Sequence, residues 1–301
     1  MTSPITLRHR LQLRNIAVLT DLGSDAERTL HLAASIAQWY GAKLTVVHAC
    51  TADVHIPSSP DPLPRETSGD LSKNQSEHLI RSLVGSAVQS PAMVSTIVSS
   101  SNVDELLEQL TLRQPDLLVV ATHARTGISK WLAGSVMAEV ARRAQWPVLV
   151  LPPGLLNSGK IDAQFQRVLY ATDLSDVSAR AFPYAVGIAE DHGAQMVAVH
   201  VDSDGTAYSF ERLIALQRLE DWLHRQSVAH GGGQWPECAI RFGKPAEEIV
   251  QAASEYQADL IVIGARGLGA MSRIASHFVG GTAYEVTCLS ACPVLIVPHA
   301  S

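Results

Sequence analysis

The 301-residue sequence predicts an α/β protein built as two doubly wound, five-stranded parallel sheets, each in strand order 3-2-1-4-5. Three observations predict it. The first is an internal repeat: IAVLTDLGSDAERTLHLAASIAQWYGAKLTVVHA (16–49) aligns with VLYATDLSDVSARAFPYAVGIAEDHGAQMVAVHV (168–201). Asp21 pairs with Asp173, Gly41 with Gly193 and His48 with His200, each 152 residues apart. PDLLVVATHARTG (115–127) then matches ADLIVIGARGLGA (258–270) at 143, and AEVARRAQWPVLVLP (138–152) matches YEVTCLSACPVLIVP (284–298) at 146. The second is the alternation of short β-branched runs with helical patterns inside each copy, as βαβ units require. The third is that these runs are apolar on both faces, as strands covered by helices on two sides must be.

Taken in order, the first copy carries strands near 15–20, 43–49, 92–98, 116–121 and 147–151. Its second strand is followed by PSSPDPLPRETSGD (57–70), a Pro/Ser-rich stretch that reads as a loop. PPGLLNSGKIDAQF (152–165) breaks the pattern between copies, giving domains at 12–153 and 165–301 with a linker at 154–164. The second copy carries strands near 167–172, 195–201, 237–242, 259–264 and 293–298, with helices near 176–191, 208–229, 245–256 and 281–291.

Composition narrows the function. With 47% hydrophobic and 17% charged residues, each half has enough apolar side chains for a core. A formal net charge of −6 argues against a nucleic-acid partner held on a basic face. No run approaches the roughly 18 apolar residues of a membrane span, and MTSPITLRHRLQLRN has no apolar core of signal-peptide length. Four scattered cysteines (Cys50, Cys238, Cys288, Cys292) suit a reducing cytoplasm better than a disulfide framework.

The stretch VIGARGLGAMSRIASHFVGGTAYEV (262–286) poses the functional question. Gly264 and Gly267 follow an apolar strand at its carboxyl end, where open α/β sheets bind ligands. Gly280, Gly281 and Thr282 open the next helix, whose free amides favour an anion. Asp173 ends the first strand of this copy, beside the fourth, and its carboxylate suits the hydroxyls of a ribose. The plainer reading is two tight turns, with Asp173 capping the helix that follows. Arg266 and His277 lie in or beside the loop, where they could meet phosphate charge or simply be solvated.

Other motifs carry less. Gly154, Gly159 and Lys160 match G-x-x-x-x-G-K, but Ile161 replaces the metal-ligating hydroxyl and a strand follows instead of a helix. His48 and His200 match each other, which favours a shared structural task at a strand end. Cys288 and Cys292 stand four apart without further ligands nearby, so packing is favoured over a metal. Arg125 and Lys130 read as loop cations. No nucleophile–base pairing or G-x-S-x-G elbow is present, and Glu247 and Glu248 fit the dipole at a helix start.

Together these features resemble the universal stress protein (UspA-type) family, and the two copies cover nearly the whole chain. The markers are the Asp after the first strand, the His at the end of the second, ADLIVIGARG on the fourth, the spaced glycines and the closing CPVLIV strand. YATDLS (170–175), GKPAEEIVQAA (243–253) and CPVLIVP (292–298) look very like that family. The resemblance implies an adenine nucleotide alpha hydrolase-like fold, twice, binding ATP or another adenine nucleotide, with or without Mg²⁺, in a stress response. It places Asp173 on the ribose, the backbone at Val201 on the adenine, and Gly264, Gly267, Gly280, Gly281 and Thr282 around the phosphates, with Arg266 a loop cation beside them. In the first copy the matching positions are Asp21, Ala49, Gly134 and Ser135.

The copies depart from the family's G-x2-G-x9-G-(S/T) loop in different ways. Ala121 and Ala124 replace the leading glycines of the first copy, where left-handed geometry would add about 1–2 kcal/mol of strain per residue. The second keeps Gly264 and Gly267 but has twelve residues before Gly280, with Gly281 where the hydroxyl belongs and Thr282 one place on. The second copy is therefore the expected nucleotide site, and any hydrolysis there should be slow for want of a placed base. Two rivals stay open: a ligand-free interaction scaffold with both loops degenerate, and an enzyme on the same fold. The two domains are expected to pair within the chain, and a homodimer is open as well.

Overall fold

The computed structural model describes residues 11–20, 22, 25–49, 73–87, 94–99, 103–121, 136–152, 163–203, 209–230, 235–265 and 281–299. Two compact units divide it, one spanning Leu13–Ala163 and one spanning Gln164–Ser301. The 57–70 loop and 153–160, with its G-x-x-x-x-G-K match, lie outside the described residues.

In the first unit the order is β1 (Asn15–Thr20), α1 (Ala26–Tyr40), β2 (Lys43–Ala49), α2 (Lys73–Ala87), β3 (Val94–Ser99), α3 (Val103–Arg113), β4 (Leu117–Ala121), α4 (Val136–Arg143) and β5 (Val148–Leu151). All its strand pairs are parallel, in the order β3-β2-β1-β4-β5. The second unit runs β6 (Arg167–Thr172), α5 (Asp176–Ala179), α6 (Phe182–His192), β7 (Gln195–Asp202), α7 (Ser209–Ala229), β8 (Glu237–Phe242), α8 (Pro245–Glu255), β9 (Leu260–Ala265), α9 (Thr282–Leu289) and β10 (Val294–Pro298). Its strands are again parallel, in the order β8-β7-β6-β9-β10. The doubly wound α/β class is therefore present in both units.

The central strands are buried because both faces are covered. Ile16 to Leu19 in β1, Val168 to Ala171 in β6 and Leu260 to Ile263 in β9 are all within the core. The repeat also fixes how the first long helix of each unit ends. Gly41 and Gly193 both take φ +66°, and the following amides of Ala42 and Ala194 reach back to Ala37 and Ala189 at 2.8 Å. This left-handed C-terminal stop favours glycine.

At the opposite, amino end of the strands a carboxylate pins each sheet. Asp116 accepts from the Arg14 and Asn15 amides at 2.7 and 2.8 Å, and Asp259 from those of Gln166 and Arg167 at 2.7 and 3.0 Å. These aspartates precede β4 and β9, so each fixes the start of a neighbouring strand. Their match in the repeat is structural.

One expected element differs. The helix expected over 176–191 is two pieces, α5 and α6, whereas α1 in the first unit is unbroken. Pro183 has no N–H to offer the Ala179 carbonyl, and the chain instead closes a tight turn from the Ala181 amide to the Ser178 carbonyl at 3.0 Å. His31 stands where Pro183 would in the first copy, and the helix continues through it.

Candidate functional site

The second unit's site begins where β6 leaves the sheet. Thr172 is the last residue of the strand, Asp173 turns outward, and Leu174 takes a left-handed φ of +61°. The Leu174 amide donates to Thr172 Oγ1 at 3.0 Å, and His200 Nδ1 lies 2.9 Å from the Thr172 carbonyl. Asp173 Oδ1 accepts both from the Ser175 amide at 3.1 Å and from the Ser175 hydroxyl at 2.5 Å. Ser175, not Asp173, is the N-cap of α5, accepting from the Ser178 amide at 3.3 Å. The plainer sequence reading, with Asp173 as cap, is corrected by one turn of the network: Asp173 holds the residue that caps.

The direction of every hydroxyl in this network follows from its ends. The Ser175 carbonyl can only accept, so Ser178 Oγ donates to it at 2.9 Å, and Thr172 Oγ1 donates in turn to Ser178 Oγ at 2.9 Å. Tyr170 reaches the Ser178 carbonyl with its hydroxyl at 2.7 Å. Burial pushes the Tyr170 hydroxyl far above its ordinary range, so it remains a neutral donor.

Around Asp173 burial works to raise the carboxyl pKa, but the hydrogen bonds from Ser175 and Ser178 outweigh it and the net direction is down. Asp173 is therefore ionised near neutrality. The sign for stability follows. A carboxyl whose pKa is lowered on folding contributes above its unfolded value, and the contribution fades as pH falls through the folded one. In Ser175→Ala the Asp173 carboxyl should titrate closer to its ordinary value, and the stability gap to wild type should narrow in acid to the pH-independent cost of the lost cap. Carbon-13 NMR of the Asp173 carboxyl and urea unfolding across pH 2–5 (about the carboxylate range) measure both.

A hollow of about 130 Å³ opens beside this turn, lined in part by Asp173, Val201, Gly264 and Thr282. It lies at the carboxyl ends of β6, β7 and β9, with Thr282 opening α9. Its wall is apolar, from Val199, Ile249 and Ile263. Four of the sequence-derived residues thus share one cavity. Thr172, Ser178, Pro245 and Ile249 also line it without having been singled out in the sequence. Thr172 had a signal, since Thr20 and Thr172 align in the repeat, and the Ser175–Ser178 spacing is that of an N-cap.

The two described glycines of the site differ in what demands them. A Cβ built on Gly264 would stand 2.5 Å from the Val177 carbonyl oxygen and 2.8 Å from Ser178 Cα. The space its missing side chain leaves is thus taken by α5, so packing alone requires glycine there. Gly281 is the N-cap of α9 at φ −73°, and a Cβ there meets open space among the described residues.

Arg266, Gly267, His277 and Gly280 lie outside the described residues, as do Asp21, Ala124, Arg125, Lys130, Gly134 and Ser135 in the first unit. Ala49 ends β2, with its backbone alone described, and Ala121 ends β4. The paired histidines serve the strand ends: His48 Nδ1 lies 2.8 Å from the Thr20 carbonyl, as His200 does from Thr172. Cys292 lies 3.5 Å from Ser290 Oγ, and burial pushes its thiol up. Burial, with Glu220 and Glu237 nearby, pushes the Cys238 thiol up to about 11. No cluster of three metal-ligating side chains occurs among the described residues. Nor is any described helix long and apolar enough to cross a membrane.

Comparison with known proteins decides the family. The model of the universal stress protein family matches twice, over residues 12–152 and 164–298. The chain belongs to the universal stress protein family. It carries two universal stress protein domains in one chain. A universal stress protein of Thermus aquaticus is 36% identical over 138 residues, covering 44% of this chain and 98% of its own length. A solved universal stress protein from Archaeoglobus fulgidus shares the fold at 18% identity and TM-score 0.66, with 97% and 98% of the two chains covered. A universal stress protein solved in complex with cAMP is 29% identical over 46% of this chain and 99% of its own, with TM-score 0.37.

Proposed function

We propose that this tandem universal stress protein binds an adenine nucleotide, ATP or a close relative, in the hollow of its second domain. The observation that carries the reading is the gathering of Asp173, Val201 and Thr282 around one cavity at the carboxyl ends of the strands. The lining suits the ligand in kind. Val199, Val201, Ile249 and Ile263 offer an apolar wall to a base. Asp173, held ionised with both Ser175 bonds on Oδ1, offers an acceptor to ribose hydroxyls. At about 130 Å³ the hollow is smaller than the roughly 300 Å³ at which ligand pockets begin. On this reading the base enters the hollow, the ribose stands at Asp173 on its edge, and the phosphates lie at the rim, toward Gly281 and Thr282. The amides that open α9 favour negative charge there.

Bound nucleotide would act through conformation or partners, in a stress response. The described free thiols Cys238, Cys288 and Cys292 suit a reducing cytoplasm. Calorimetric titration of the full chain with ATP, with and without Mg²⁺, tests the reading. Saturable binding is expected, and Asp173→Ala should weaken it about tenfold, in line with a charge-assisted hydrogen bond lost. No saturable binding at millimolar ATP would leave the interaction scaffold as the reading. Fast ATP turnover abolished by Asp173→Ala would point to an enzyme instead.

A further inference from the structure

We propose that His200 is a positioning residue for Asp173, acting through a latch made with Thr172 and Leu174. Thr172 and His200 stand in register across β6 and β7. The Thr172 carbonyl can only accept, so the ring nitrogen 2.9 Å away, Nδ1, carries the proton between them. That bond occupies the last carbonyl of β6 at the point where the chain leaves the sheet. The hydroxyl of the same threonine takes the Leu174 amide at 3.0 Å, in a left-handed conformation that leucine seldom adopts. Asp173 lies between two pinned residues. Its backbone is thereby held, and its carboxylate is aimed at the hollow it lines.

The first domain supplies a second instance under changed surroundings. His48 Nδ1 lies 2.8 Å from the Thr20 carbonyl, the Leu22 amide donates to Thr20 Oγ1 at 3.1 Å, and Leu22 has the same φ of +61°. The neighbours are not kept. Val18 replaces Tyr170, Ala26 replaces Ser178, and the following helix is unbroken. The latch therefore does not depend on the serine hydroxyls that surround it in the second domain. It is a three-residue device in its own right, with the histidine as its far end.

The test uses the full-length chain, isotopically labelled, as wild type, His200→Leu and His200→Asn. Asparagine keeps a side-chain N–H donor at about the distance of Nδ1. The primary readout is hydrogen exchange and chemical shift of the Leu174 amide, which needs no ligand. His200→Leu should speed that exchange at least tenfold and move the signal, and His200→Asn should keep both near wild type. Unchanged exchange in His200→Leu, or an asparagine variant that behaves like the leucine one, overturns the proposal. Should His200→Leu fail to fold, Thr172→Val removes the hydroxyl that receives the Leu174 amide, and unchanged exchange there overturns it equally. An affinity arm rests on the nucleotide reading: ATP binding should weaken about tenfold in His200→Leu and recover in His200→Asn. If wild type binds no ATP, that reading fails alone, and the exchange data still decide the latch.

Discussion

Gly264→Ala is expected to destabilise the second domain by about 3 kcal/mol, near the top of the range for overpacking a filled site. The added methyl would stand 2.5 Å from a backbone oxygen of Val177 and 2.8 Å from the Ser178 α-carbon, and neither is the end of a flexible side chain. Relief requires α5 to move off β9, which would disturb the N-cap at Ser175 and the carboxylate it holds. For a domain of this size the loss corresponds to a fall in midpoint of roughly 6–12 °C, readable by circular dichroism. Gly281→Ala is the control and should cost no more than about 1 kcal/mol, the difference between glycine and alanine at an N-cap. The contrast bears on how ligand binding is probed. A glycine beside a hollow invites replacement by a bulky residue to block the ligand, but at Gly264 that would damage the fold first. Thr282 or Gly281 is the better place for such a block. Equal stability of Gly264→Ala and wild type would show that the close approach of α5 is dispensable.

Tyr170→Ala is expected to cost more, about 3–5 kcal/mol, the range for emptying a buried aromatic site. Tyr170 is fully buried in β6 and packs edge-on to Phe182 at 5.7 Å and stacked on Trp222 at 6.1 Å between ring centroids. Phe182 meets Trp222 edge-on as well, so the trio ties β6, α6 and α7 together. Such pairs add about 0.5–1.5 kcal/mol beyond the area they bury. The hydroxyl has its own task, since it joins the Ala181 amide in donating to the Ser178 carbonyl. Tyr170→Phe isolates it and should cost about 0.5–1.5 kcal/mol, the price of one buried hydrogen bond whose acceptor keeps the Ala181 amide. Chemical unfolding of both variants separates ring from hydroxyl. A phenylalanine variant as damaged as the alanine one would mean that the hydroxyl, rather than the packing, dominates.

The strands were readable from the sequence because each was written twice. β6 spans Arg167–Thr172 as expected, and the other described strands fall within two residues of expectation, since β-branched runs buried on both faces leave little latitude. The break between α5 and α6 was hidden by a different logic. Pro183 sits two residues into a new helix, where proline is welcome, yet in the sequence it resembles a proline tolerated inside one long helix. Asp173, Gly264 and Thr282 could be gathered from spacing because the carboxyl ends of neighbouring strands converge, and Val201 followed from the family resemblance. The reason for Gly264 could not be. One letter serves both a ligand that approaches and a helix that packs, and only the position of Val177 tells them apart. Leu22 and Leu174 were equally silent, since nothing in a leucine announces a left-handed backbone. Their threonines were visible all along, aligned beside each aspartate.

The uneven surroundings of the two latches bear on ancestry. When a gene doubles, selection can hold one copy to the old task while the other drifts, and what both retain is the part neither could lose. Here the shared remainder is a histidine, a threonine and a strained leucine, while the serines, the tyrosine and the broken helix belong to the later copy alone. The earlier copy opens α1 from Asp25 and runs it unbroken to Tyr40, whereas the later copy opens α5 from Ser175 and ends it at Ala179. The divergence is one of architecture as well as of letters.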